Sequence, residues 1–103
     1  MNIRFKVEIM LDKDKIIAEQ KYLVKTVEDV IRKVFTDKGI VDRSDDDTLI
    51  FCTDDHDLFG KVLVSVNTVY FSNAQKYIKS IWWYNYEDMS KEDVLSTFRK
   101  AGA

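Results

Sequence analysis

Tyr77-Ile78-Lys79-Ser80-Ile81-Trp82-Trp83-Tyr84-Asn85-Tyr86 holds five of the chain's thirteen aromatic side chains, both tryptophans among them. Its β-branched and aromatic residues favour a pleated strand, whose successive side chains point to opposite faces. Trp82 and Trp83 therefore belong to different faces. If only one face of the sheet is covered, one indole is left near solvent, and the partner strand decides which.

Residues 61–72 read as that partner. Val62, Val64, Val66, Thr68 and Tyr70 alternate with Leu63, Ser65, Asn67, Val69 and Phe71. An odd-numbered turn centred on Ala74 opposes Val66 to Trp82, Val64 to Tyr84 and Val62 to Tyr86, matching apolar with apolar. This register puts Trp82, Tyr84 and Tyr86 in the core and leaves Tyr77, Ile81 and Trp83 facing away. A two-residue turn exchanges the two sets. Covered by a helix or a second subunit, Trp83 is instead ordinary core.

Outward from this pair, Ile3, Phe5, Val7, Ile9 and Leu11 alternate with Arg4, Lys6, Glu8 and Met10, the period of a half-buried strand. Ile16, Ala18, Tyr22 and Val24 again share a face beyond a polar turn at residues 12–15, which predicts a β-hairpin. Thr26 is a fitting N-cap for a helix with Val27, Val30, Ile31, Val34 and Phe35 on one stripe, Asp29 completing the cap and Gly39 ending it. Residues 48–53 read as a short strand. Ser90 with Asp93 opens a last helix bearing Val94, Leu95 and Phe98. The fold expected is α+β: a mostly antiparallel sheet of about five strands in the order β-β-α-β-β-β-α, with two helices on one face.

The 103 residues suit one domain, 1–103, with a single core. Proline is absent and glycine occurs only at positions 39, 60 and 102, so nothing resembles a linker. The lone Cys52 has no partner for an internal disulfide. No apolar run is long enough for a signal-peptide core or a membrane span, and the expected location is cytoplasmic.

Charge is unevenly distributed. Residues 40–57 carry seven aspartates, Asp42, Asp45, Asp46, Asp47, Asp54, Asp55 and Asp57, against one arginine, while each flanking region is slightly basic. The acids do not match a calcium loop: counting from Asp42, Asp47 and Thr53 stand where an EF-hand needs glycine and glutamate. No metal site or cofactor is expected. One cysteine and one histidine with no nucleophile elbow, phosphate loop, CxxC or HExxH argue against an enzyme.

A docking role remains. Clustered aspartates repel one another unless solvent or a basic partner screens them. The reading is a small non-catalytic protein-binding or inhibitory module, of the immunity type or a phage or mobile-element anti-defence inhibitor. It would meet a protein with a basic surface through the aspartates, through Trp83, Tyr77 and Ile81, or through both. The alternative is a binder of single-stranded nucleic acid or a nucleotide, with Arg4, Lys6, Lys79 and Trp83 on one sheet face. The net charge of −2 disfavours the nucleic-acid reading. Homodimerisation through an edge strand stays open.

Overall fold

Phe5, Val7, Ile9 and Leu11 are buried, as their alternation requires, on β1 (Phe5–Leu11) in the computed structural model, which describes residues 2–102. The chain continues through α1 (Lys13–Glu19), α2 (Val24–Thr36), β2 (Val41–Asp42), β3 (Leu49–Thr53), α3 (Phe59–Tyr70), β4 (Ile78–Asn85), β5 (Ser90–Asp93) and α4 (Val94–Lys100). The class is α+β, with a five-stranded antiparallel sheet in the order β2-β3-β1-β4-β5. Buried residues of all four helices join one core with the odd-numbered side chains of β1, with Leu49 and Phe51 of β3 and with Ile81 and Trp83 of β4. The helices thus cover one face of the sheet and leave the other open.

Two segments differ from the sequence expectation. Residues 16–24 form no hairpin strand. Asp12 accepts a hydrogen bond from the Lys15 N–H and caps α1, which buries Ile16. β1 has no edge to offer, because β3 and β4 flank it on both sides. Of residues 61–72, those up to Tyr70 are helical rather than extended, as part of α3. Val62, Ser65, Val66, Val69 and Tyr70 are the buried side of α3, spaced at i, i+3, i+4, i+7 and i+8. The Ser65 and Thr68 hydroxyls donate back to the Lys61 and Val64 carbonyls. A run apolar at nearly every position satisfies both periods, and packing against the sheet outweighs the β-branched preference for strand.

The true neighbour of the aromatic strand is therefore β1, with Val7 opposite Trp83, Glu8 opposite Trp82 and Lys6 opposite Tyr84. This inverts the expected faces: Ile81 and Trp83 lie under the helices, and Trp82 and Tyr84 lie on the open side. Trp83 stacks on Phe5 at 5.5 Å between centroids, and Phe59 meets both rings edge-on at 5.8 and 5.2 Å. Each such pair contributes roughly 0.5–1.5 kcal/mol beyond its area.

Smaller shifts occur at the helix ends. α2 starts at Val24 without a side-chain cap, so Thr26 lies within it. It buries Val27, Ile31 and Phe35, the last stacked on Phe51 at 4.2 Å, while Val30 is exposed. Gly39 takes the left-handed conformation expected of it, at φ +82°. At α4 the cap is Asp93, which accepts from the Ser96 N–H, and Ser90 begins β5 instead.

Candidate docking surfaces

The seven aspartates do not form one patch. Asp45, Asp46 and Asp47 precede β3, whereas Asp54, Asp55 and Asp57 follow it. Five strand residues at about 3.4 Å each separate the groups by roughly 17 Å or more. Asp42 sits on β2, where it pairs with Arg32 at 3.2 Å and accepts from the Ser44 N–H and hydroxyl. Several of these carboxylates hold turns: Asp45 accepts from the Asp47 and Thr48 N–H groups, and Asp55 from Asp57 N–H. The two backbone N–H bonds hold the Asp45 carboxyl below its usual range. Clustering of Asp in this part of the sequence thus has a local cause, since Asp side chains close such turns.

The second group gains neighbours that sequence distance concealed. The β4–β5 hairpin brings Glu87 to His56, with Oε2 2.7 Å from Nδ1, and Arg4 donates to the same carboxylate at 3.1 Å. Arg4 Nε also donates to the Asp54 carbonyl at 2.9 Å. Asp54, Asp55, Asp57, Glu87 and Asp88 consequently share one end of the sheet with Arg4 as the balancing arginine. At the same end stands Met89, 80% exposed and in the left-handed conformation at φ 59°. The signal for Glu87, Asp88 and Met89 was the polar Asn-Tyr-Glu-Asp-Met-Ser run between two strands, which a different strand assignment hid.

Of the aromatic candidates, Trp83 is 8% exposed, Ile81 0% and Tyr77 1%. They are core residues and offer no surface. The Tyr77 hydroxyl donates to Glu19, which lowers the Glu19 pKa and raises that of Tyr77. Lys76 joins the same carboxylate at 3.3 Å. This link fastens α1 to the turn before β4.

The residues of the nucleic-acid reading are also dispersed. Trp83 and Lys6 lie on opposite faces, Arg4 is engaged with Glu87, and Lys79 is the extra residue of a bulge where β1 and β4 shift register. The open face has its own aromatic strip instead. Lys6 Nζ lies 4.4 Å from the Tyr84 ring centre, Tyr84 stacks with Tyr86 at 6.2 Å, and Lys91 Nζ lies 5.4 Å from the Trp82 ring centre. Glu8 sits 3.8 Å from Lys6, and its hydrogen bond with Tyr84 pushes the phenol pKa up to about 12. Cys52 is buried on this side of β3, and burial pushes its thiol up, away from the thiolate.

Among the described residues no group of three or more His, Cys, Asp or Glu is placed to hold a metal ion, and no helix is long and apolar enough to cross a membrane. In comparisons with known proteins, no family model matches this chain, and no curated protein or solved structure matches it.

Proposed function

We propose that the protein is a small non-catalytic binding module that docks its acidic end onto a basic surface of another protein, in the manner of an immunity protein or of a phage or mobile-element inhibitor. The observation that carries this reading is the junction of the 54–57 turn with the β4–β5 hairpin tip. Asp54, Asp57 and Asp88 share this end of the sheet with the protruding Met89, whose side chain stands largely in water on a left-handed backbone. A non-glycine residue in that conformation costs on the order of 1 kcal/mol, and such outliers concentrate at functional sites. An apolar tip beside charged groups has the layout of an interface anchor with its polar rim.

Asp54→Lys combined with Asp57→Lys is the appropriate test, since neither carboxylate caps a turn that holds β3 or β5. The tagged protein and this variant are incubated with native-host extract at low salt and the captured proteins identified by mass spectrometry. A basic protein retained by the native chain, released when about 0.5 M salt screens the charges, and lost by the variant supports the reading. Retention of the same protein by both forms removes the acidic end from the function.

A further inference from the structure

β5 pairs with β4 only from Trp82 to Asn85, and the chain leaves the sheet at Asp93 to form α4, which packs against β4. The outer edge of β4 ahead of Trp82 therefore has no strand beside it. Lys79 is the bulge residue of this stretch, a device that re-aims a side chain. On α4, Ser96, Arg99 and Lys100 recur at i, i+3 and i+4 and so share one face. A cleft of about 410 Å³ lies between, lined by these four residues together with Ser80, Asp93 and Leu95.

Hydrogen-bonding capacity that the chain leaves unused collects in this cleft. Lys79, Arg99 and Lys100 have no ion-pair partner among the described residues, whereas Arg4, Lys6, Arg32 and Lys76 are each paired with a carboxylate. None of the three donates to a backbone carbonyl, as Lys13, Lys15 and Lys38 do. The serine hydroxyls divide in the same way. Those of Ser44, Ser65, Ser72 and Ser90 each donate within the chain, and those of Ser80 and Ser96 do not. The one acid, Asp93, has its Oδ1 turned onto the Ser96 N–H at 3.0 Å. Three cations against one carboxylate leave the lining at +2 in a chain whose total is −2.

The geometry points to a binding site for the phosphate monoester of a small hydroxylated molecule. Such a phosphate carries close to two negative charges near neutral pH, which matches the surplus of the lining. Arg99 supplies a planar fork of N–H donors, Lys79 and Lys100 supply ammonium groups, and Ser80 and Ser96 supply hydroxyls, all donors that phosphate oxygens accept from. The cleft has the size of a small-molecule site and holds more than a phosphate alone. Leu95 is the sole apolar residue of the lining and is 2% exposed, so an aromatic base finds nothing to stack on. A sugar hydroxyl can instead donate to Asp93 Oδ2, which accepts from no group of the chain. Six strand steps, roughly 20 Å, separate Lys79 from Asn85 at the foot of the acidic hairpin, so this site stands independently of the docking role.

Isothermal titration calorimetry with ribose 5-phosphate at low salt tests the assignment. The native chain should bind one equivalent, and Arg99→Gln and Lys79→Gln should each raise the dissociation constant roughly tenfold or more, since each removes a charged donor. Ser80→Ala combined with Ser96→Ala leaves every charge in place and should weaken binding roughly threefold or more. Unchanged circular dichroism establishes that these variants are folded, and Asp54→Lys with Asp57→Lys, at the other end of the sheet, should still bind. No heat at about 5 mM ligand, variants as tight as the native chain, or ribose bound as tightly as its phosphate overturns the inference. Inorganic phosphate bound as tightly as ribose 5-phosphate limits the site to a bare anion and overturns the hydroxylated ligand. Sedimentation with vesicles containing a phosphatidylinositol phosphate, by a chain that ignores the soluble sugar phosphate, moves the phosphate to a membrane surface and overturns it too.

Discussion

Trp82 and Trp83 are adjacent in sequence and belong to opposite sides of the same strand. Trp83 faces the helix layer, with Phe5 stacked on one side and Phe59 at its edge. Trp82 faces away from the helices, with the Lys91 ammonium over its ring. The covered side is held by exclusion of water from a contiguous apolar cluster. Lys6, Glu8, Trp82, Tyr84 and Lys91, with Met10 and Ile50 beside them, make up the open side. One side defines the fold, and the other is available for contact.

Truncation separates the two most sharply. Trp83→Ala removes a nearly buried indole that β1, β4 and α3 close upon, and should cost about 3–5 kcal/mol in a denaturant titration, the range for large aromatic-to-alanine changes in cores. Trp82→Ala should cost under about 1 kcal/mol, since the ring keeps solvent on one side. Comparable losses for the two would mean that the helices do not define a covered face.

Much of the fold was legible in the sequence because the covered face writes a clear period. β1 alternates through four buried residues, α2 repeats Val27, Ile31 and Phe35 every four, and the Leu49–Thr53 strand is bracketed by turns. α3 was not legible, and with it went the assignment of the tryptophans. Its residues 62–66 read Val-Leu-Val-Ser-Val, and a segment apolar on nearly all sides shows no stripe by which to tell period two from period 3.6. Leu63 and Val64 are partly exposed on the helix, so the hydrophobicity itself misplaces them. The acidic end was half legible. Asp54, Asp55 and Asp57 stand together in sequence, but Glu87 reaches His56 across thirty-one residues through a hairpin that only the correct strand order creates.

Alkaline pH probes the open face without truncating it. The hydrogen bond to Glu8 keeps Tyr84 protonated in the folded chain up to about 12, against an ordinary phenol value of 10.0. The stability this contributes is complete below about pH 10 and is lost as pH rises through about 12, because the unfolded chain ionises first. Tyr77, raised by Glu19 on the covered side, adds a slope of the same sign. Tyr84→Phe should reduce the fall in stability between about pH 10 and 12, measured by urea unfolding. An unchanged slope would assign all of it to other groups and detach Tyr84 from Glu8.

Met89 extends the contrast to a residue that neither face uses. It occupies the tip of the β4–β5 hairpin, where Asp88 closes the turn by accepting from the Ser90 N–H at 3.0 Å. The left-handed backbone there suits glycine, which lacks the Cβ that makes φ 59° unfavourable. Met89→Gly should therefore stabilise the chain by about 0.5–1 kcal/mol, the relief of backbone strain being partly offset by the greater freedom of unfolded glycine. The same change removes from the acidic end a large apolar side chain that holds most of its surface in water. A more stable protein that binds its basic partner more weakly would mark Met89 as a residue kept for contact at the expense of the fold. A variant that is destabilised would show instead that the methionine packs in the hairpin, and the acidic end would lose its anchor.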